Sequence, residues 1–254
     1  MRFLLLLPLL LLSTLAAKGE EVVAGLSQNR VAITANFDGS EILIFGAVKR
    51  VAPPPEGDPL DVIITVSGPM SPVMVRRKDK RVGIWVNTDA VEVDAAPSFY
   101  AVASTRPLDD ILTNTEDLRH KVSIENVIRS VGAPATITDS ENFTAALIRI
   151  REDKGLYQTL KNGVELSEDT LFRTSIALPA NLTEGDYNAR FLLVRGGSVV
   201  GEYVTELDVS KVGLERWLFN LAHEMPLVYG ILSLFIAIVA GWGASAFFRR
   251  YLNS

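Results

Sequence analysis

The sequence predicts a mainly β fold: immunoglobulin-like β-sandwich module or modules, a helical middle segment, and a C-terminal transmembrane helix. Three observations predict it. Across residues 21–104, short runs rich in β-branched and aromatic residues recur and are broken by Gly, Pro, Asp and Asn, at the spacing of about 8 to 12 residues typical of a sandwich. The same texture returns over residues 163–212. Residues 227–248 form one apolar run without a charge, long enough for the roughly 20 residues a spanning helix needs.

The N-terminus reads Met1-Arg2, FLLLLPLLLL and then STLAAKGEE. A positive start, a short apolar run and small residues before a polar stretch are the parts of a secretory signal peptide. Residues 1–17 are therefore expected to be removed, with cleavage near Ala16 or Ala17. Residues 18–106 read as a β-rich lobe with the runs VVAGLS, RVAITANF, EILIFGAVKR, DVIITVSG, PVMVRR, RVGIWVN, AVEVDA and SFYAVAS. Asp38-Gly39 is expected to make a tight turn between the second and third runs. The prolines of VAPPPEGDP cannot donate to a ladder and mark an exposed loop.

Residues 107–155 change to helical spacing, over 107–131 and 142–154. Phe143, Leu147 and Ile150 share a face of the second helix, with Asp139 and Ser140 as capping residues before it and Gly155 after it. These helices are expected to cover a sheet edge or bridge two lobes. Residues 156–212 form a second β-rich region, with a hairpin turning at Gly196-Gly197 and with Tyr203, Thr205, Leu207 and Val209 facing one way. In LPANLTEGDYNARFLLV a strand ends at a proline and a Gly-x-Tyr opens the next, as in an immunoglobulin-like module. Whether the two β regions make one domain or two is open at this level.

Residues 213–225 follow with Leu214, Trp217, Leu218 and Leu221 at i, i+3, i+4 and i+7. That pattern predicts an amphipathic helix at the membrane–water boundary, with Trp217 at headgroup depth. The transmembrane helix, residues 226–248, begins at Pro226, where a missing N–H costs nothing. Arg249 and Arg250 open the short tail, residues 249–254, and the positive-inside tendency puts it in the cytoplasm. The expected topology is single-pass, in a bacterial inner membrane, with the bulk of the chain in the periplasm.

The whole chain carries 25 Lys+Arg against 30 Asp+Glu. Three of those basic residues, Arg2, Arg249 and Arg250, lie outside the exported part, so nucleic acid is not an expected partner. There is no cysteine. That excludes thiolate catalysis, zinc-thiolate sites and anchoring through a lipidated cysteine, and leaves the core to hold the domain without disulfides. His120 and His223 are the only histidines, too few for a histidine metal site; no metal and no cofactor is expected.

Three stretches carry a resemblance: EVVAGLSQNRVAITANFDGSEILIFGAVKR near the start, SFYAVASTRPL in the middle, and GLERWLFNLAHEMPLVYG with AGWGASAFFRR at the end. Together they resemble the putative alphaproteobacterial transmembrane protein family. The resemblance covers nearly the whole mature chain. It implies a bacterial inner-membrane location and a neighbourhood of sulfite-exporter-type permeases, and carries over no catalytic residue.

The candidate sites are few. Arg76, Arg77, Lys78, Lys80 and Arg81 cluster around Asp79 between two strands. They fit either an anion- or partner-docking tip, attractive to oxyanions or lipid headgroups, or a solvated hairpin end whose charges prevent edge association. No G-x-S-x-G, P-loop or H-E-x-x-H is present. Asp109-Asp110 and Glu116-Asp117 are adjacent carboxylates, which point apart on a helix and suit a first turn; His120 reads as a surface residue and His223 as part of a polar face. The membrane helix instead gathers Gly230, Ser233, Ala237, Ala240, Gly241 and Ala244 into one arc, which allows another helix to approach closely. The expected protein is not an enzyme but a membrane-anchored accessory that associates through this stripe with a permease or with itself. The alternative is a small-anion binding or sensing module.

Overall fold

The computed structural model describes residues 21–34, 37–50, 58–132, 137–211 and 214–252. The expected signal peptide, residues 1–17, lies outside the described residues, as does most of the proline-rich loop.

The strands are β1 (Glu21–Leu26), β2 (Arg30–Ile33), β3 (Ser40–Lys49), β4 (Asp61–Ser67), β5 (Met70–Arg81), β6 (Ile84–Pro97), β7 (Tyr100–Ser104), β8 (Tyr157–Leu160), β9 (Glu165–Ser167), β10 (Leu171–Leu178), β11 (Gly185–Arg195) and β12 (Ser198–Lys211). They form a four-stranded sheet in the order β1-β3-β10-β9 and a six-stranded sheet in the order β2-β12-β11-β4-β7-β8, while β5 and β6 make a two-stranded sheet of their own. Most pairs are antiparallel, but β2 runs parallel to β12 and β8 parallel to β7. Strands from both β-rich regions of the chain sit side by side in both sheets, so the open question resolves to one sandwich.

The sandwich core lies between the sheets. Ile42, Ile44, Phe172 and Ile176 from the smaller sheet meet Val62, Ile64, Phe191 and Leu193 from the larger, all buried. Phe172 and Phe191 span the gap with ring centres 5.9 Å apart. The sequence LFRTSIAL of β10 alternates exposed and buried without exception, as a sheet with one wet face requires. In β4, by contrast, DVIITV is buried throughout, because a second core covers the other face of its sheet. Ile63, Leu192, Val194 and Tyr100 there pack under Ile111, Val122, Ile124 and Leu147.

Those last residues belong to the helical middle: α1 (Leu108–Ile111), α2 (Asn114–His120), α3 (Ile124–Val127) and α4 (Ser140–Asp153). The helices lie over a face of the six-stranded sheet, because β4, β7 and β11 present apolar residues on both sides, and α4 lies against its edge strand β8 and the β5–β6 hairpin, as the expected cover of a sheet edge requires. On α4, Phe143 and Leu147 are buried but Ile150 is 43% exposed. The helix ends in a Schellman arrangement, Leu156 N–H to Arg151 O and Gly155 N–H to Glu152 O.

Three further expectations are corrected. Asp38-Gly39 does not close a hairpin: β2 joins the larger sheet and β3 the smaller, so the segment crosses between layers. The run RVGIWVN is divided, Arg81 ending β5, Val82-Gly83 making the turn and Ile84 opening β6, and its IWVN joins AVEVDA in that one strand, because the polar Asn87-Thr88-Asp89 that looks like a break is absorbed as an irregularity in the pairing near Arg77 and Lys78. Asp139 makes no side-chain cap to α4; its carboxylate is taken by Arg77 and Asn142 instead.

At the C-terminus, α5 (Leu214–Glu224) is followed after one residue by α6 (Pro226–Leu252). Met225 N–H bonds to Leu221 O and Tyr229 N–H to Met225 O, both at 3.1 Å. The helical ladder therefore carries through the joint, interrupted only by the missing N–H of Pro226.

Candidate functional site

Two regions stand out from the sandwich: the membrane helix and the free hairpin. The 27 residues of α6 make about 40 Å of helix at roughly 1.5 Å each, more than the roughly 30 Å hydrocarbon layer. Its apolar stretch, Pro226–Ser245, has no buried residue, and Leu227, Ile231, Leu234, Phe235 and Trp242 all face outward. A helix this apolar, left unburied by the described residues, has lipid as its natural solvent.

The small residues Gly230, Ser233, Ala237, Ala240, Gly241 and Ala244 are exposed along the same helix. A Cβ at Gly230 or Gly241 would meet nothing within 4 Å. The Ser233 hydroxyl is already satisfied, donating to Tyr229 O at 2.8 Å. On α5, Trp217 is 53% exposed, Leu218 and Leu221 are half-buried, and the side chain of Leu214 lies outside the described residues. His223 stacks on Phe219, ring centres 4.0 Å apart, and its Nδ1 lies 2.8 Å from Phe219 O.

The β5–β6 hairpin, 12 and 14 residues in its arms, reaches about 40 Å at roughly 3.3 Å per residue. Its base is fixed by Val91, Val93 and Ala96, all buried, and by the 129–131 segment. Ala95 and Arg129 exchange backbone bonds, and Val131 N–H donates to Asp94 at 2.6 Å. That donation holds the Asp94 carboxyl below its ordinary range.

Of the five candidate cations, Arg77 is part of this anchorage. Its guanidinium lies 4.6 Å over the Phe143 ring and 2.6 Å from the Asp139 carboxylate, joining β5 to α4. The Asn142 amide, and after it Arg77, keeps Asp139 more acidic than usual. Arg81 meets Asp79 at 3.3 Å. From residue 78 to residue 87, every hydrogen bond and ion pair among the described residues is internal to the hairpin.

Between the hairpin base and α4 runs a cleft of about 570 Å³. Val73, Val75, Leu147 and Ile150 form its apolar walls, with Lys154 and Arg151 on one side and Ser98 in its floor. Sequence spacing could not find it, because its two sides are more than 60 residues apart in the chain. The exposed Ile150 is the one visible trace. The Ser98 hydroxyl is buried beside Tyr187, with no short hydrogen bond among the described residues. Arg151 is held by Pro97 O and the Tyr157 hydroxyl.

Of the paired carboxylates, Asp109 and Asp110 sit in the first turn of α1, and Glu116 and Asp117 are tied into the fold. Asp117 accepts from the N–H groups of Val122 and Ser123 and from Asn126. Glu116, buried, accepts from Arg119 and from Val199 N–H. His120 corrects the surface reading: its side chain is only 20% exposed, 3.6 Å from Glu116 and 3.5 Å from Glu202. Tyr100 and Tyr187 are likewise spent on the fold, donating to Val122 O and Thr183 O, and burial pushes both phenols up. Among the described residues no group of His, Asp and Glu has the makings of a metal site.

No curated protein and no solved structure matches the chain. A family model described as Putative transmembrane protein (Alph_Pro_TM) matches residues 21–250, taking in sandwich, hairpin and membrane helix together. The exposed apolar helix gives that description its physical content, and the chain belongs to the Putative transmembrane protein family.

Proposed function

We propose that the protein is a non-catalytic accessory anchored in the inner membrane, its immunoglobulin-like sandwich in the periplasm and its tail in the cytoplasm. It associates through α6 with an integral membrane partner, a permease such as one of the sulfite-exporter type, or with a second copy. The observation that carries this reading is α6: across Pro226–Ser245 nothing among the described residues buries it, and Gly230 and Gly241 leave room for a backbone to approach. Small residues on one side of a spanning helix favour close helix contact. Trp217 and Phe219 suit the boundary layer just outside the hydrocarbon.

The test is purification in mild detergent through a tag after Ser254, beside Gly241→Ile. A permease or second copy retained by the parent and lost by the variant is the expected result. A protein that emerges alone in both cases overturns the association.

A second reading, small-anion binding, draws on the cleft, where Lys154 has no acidic partner among the described residues and Arg76 and Arg151 also line the walls. A ligand that binds the native state raises its stability. Thermal unfolding of the full chain in detergent should then shift upward with sulfite, sulfate, taurine or phosphate, and no shift at millimolar anion removes this reading.

A further inference from the structure

The β5–β6 hairpin sorts its charges by face. Directly opposed residues of an antiparallel pair point to the same side of the ribbon. Lys78 opposes Asn87 and Lys80 opposes Trp85, so Lys78, Lys80 and Trp85 share one side, and Arg76, opposite Ala90, joins them. Arg77 opposite Asp89, Asp79 opposite Val86, and Arg81 opposite Ile84 fall on the other side. The acids nearest the tip are therefore on the side where they are already neutralised: Asp79 by Arg81 at 3.3 Å, and Asp89 by Arg77 at 3.8 Å. Arg76, Lys78 and Lys80 have no acidic partner among the described residues. The first acid on their side is Glu92, opposite Met74, well down toward the base.

The tip itself is apolar. Val82 is 104% exposed, and Ile84 and Trp85 are 65% and 68% exposed. Val82 also sits at φ 50°, a left-handed conformation that a β-branched residue adopts only against steric strain. Asn or Gly would close the turn better. Neither burial nor turn geometry favours valine there, and strain held at an exposed tip points to function. A solvated hairpin end designed only to repel neighbours would need the cations but not the valine, isoleucine and tryptophan.

We propose that this face of the hairpin, with Val82 and Trp85 leading and Arg76, Lys78 and Lys80 behind them, docks on an anionic phospholipid surface. A headgroup layer accepts an amphipathic ring and a small apolar tip, and its negative potential attracts cations within about one Debye length. The docking rests on the anchored reading above, which keeps a bilayer within reach of the sandwich.

Because the chain has no cysteine, Val82→Cys carries a single environment-sensitive fluorophore at the tip of the full-length protein. The labelled protein is reconstituted in vesicles of phosphatidylcholine alone or of phosphatidylcholine with phosphatidylglycerol. The expected result is a blue-shifted emission and severalfold protection from acrylamide in the anionic vesicles only, both abolished by adding Lys78→Gln and Lys80→Gln. A label equally quenched in the two lipids, or one shielded whatever the lipid charge, overturns the docking. A chain stripped from both vesicles by a carbonate wash overturns the anchored reading instead, and is seen before any fluorescence is read.

Discussion

The β11–β12 hairpin turns at Gly196-Gly197 and the β5–β6 hairpin at Val82-Gly83, each through two consecutive residues at positive φ. Beyond the turn they part. The first is laid into the six-stranded sheet between β4 and β2, with Phe191 and Leu193 buried in one core and Leu192 and Val194 in the other. Its turn backs onto α2: Thr113 N–H bonds to Gly197 O at 3.0 Å. Among the described residues the second has neighbours only at its base, and a Cβ at Gly83 would meet nothing within 4 Å. The same turn chemistry thus serves stability in one place and exposure in the other, and the flanking side chains make the difference.

The comparison breaks most visibly in the arms. Phe191→Ala should lower unfolding stability by about 3–5 kcal/mol, whereas Trp85→Ala should stay within roughly 0.5 kcal/mol of the parent. Urea unfolding in detergent, followed by circular dichroism, distinguishes them; equal losses would mean that the β5–β6 tip is packed after all. The turns give the next effect. Gly83→Ala carries only the left-handed penalty of about 1 kcal/mol. Gly197→Ala adds a methyl 2.9 Å from Thr113 Cγ2 and should cost more, by the same assay.

Smaller still is a gain. Val82→Asn relieves a β-branched residue at positive φ and should raise stability by about 0.5 kcal/mol, while removing an apolar contact that lipid docking uses. A rise in midpoint together with lost shielding of a label at Ile84→Cys would separate the two roles of this position. The smallest effect is local and depends on pH. The Asp139 carboxyl is depressed in the fold, so its contribution is complete above the ordinary carboxylate value of 3.8 and is lost as pH falls through the lower folded value. Amide exchange in β5 near Arg77 should therefore quicken, relative to β11, at pH 2.5 but not at pH 5, and Asp139→Asn should remove that difference.

Local pattern carried much of this fold. The alternation of β10, the Gly196-Gly197 turn, the helices of the middle segment and the membrane helix are all written in adjacent residues. What escaped was long-range. Arg30 meets Asp208, 178 positions away, and the parallel pairing of β2 with β12 that brings them together has no local signature; hence Asp38-Gly39 read as a tight turn between successive runs. Arg77 looked like one cation among five because its partner Asp139 is 62 positions distant. The tip residues were visible as a charge cluster, but their division between two faces depends on the irregularity near Arg77 and Lys78, which shifts the pairing that alternation alone would give.

The parallel pairing has a mechanical meaning as well. β12 is the last strand before the membrane helix; near its end Asp208 and Val209 are flanked on both sides, by β2 and β11, and Ser210 and Lys211 by β2. Thermal jostling of the bilayer tugs on the sandwich through this strand. A pull along β12 loads the bonds on its two flanks together, in shear, so that they must fail as a group and not open one after another like a zipper. The ion pair of Arg30 with Asp208, at 2.9 Å, lies at the same place, so the joint between sandwich and membrane helix is built to bear tension along the strand.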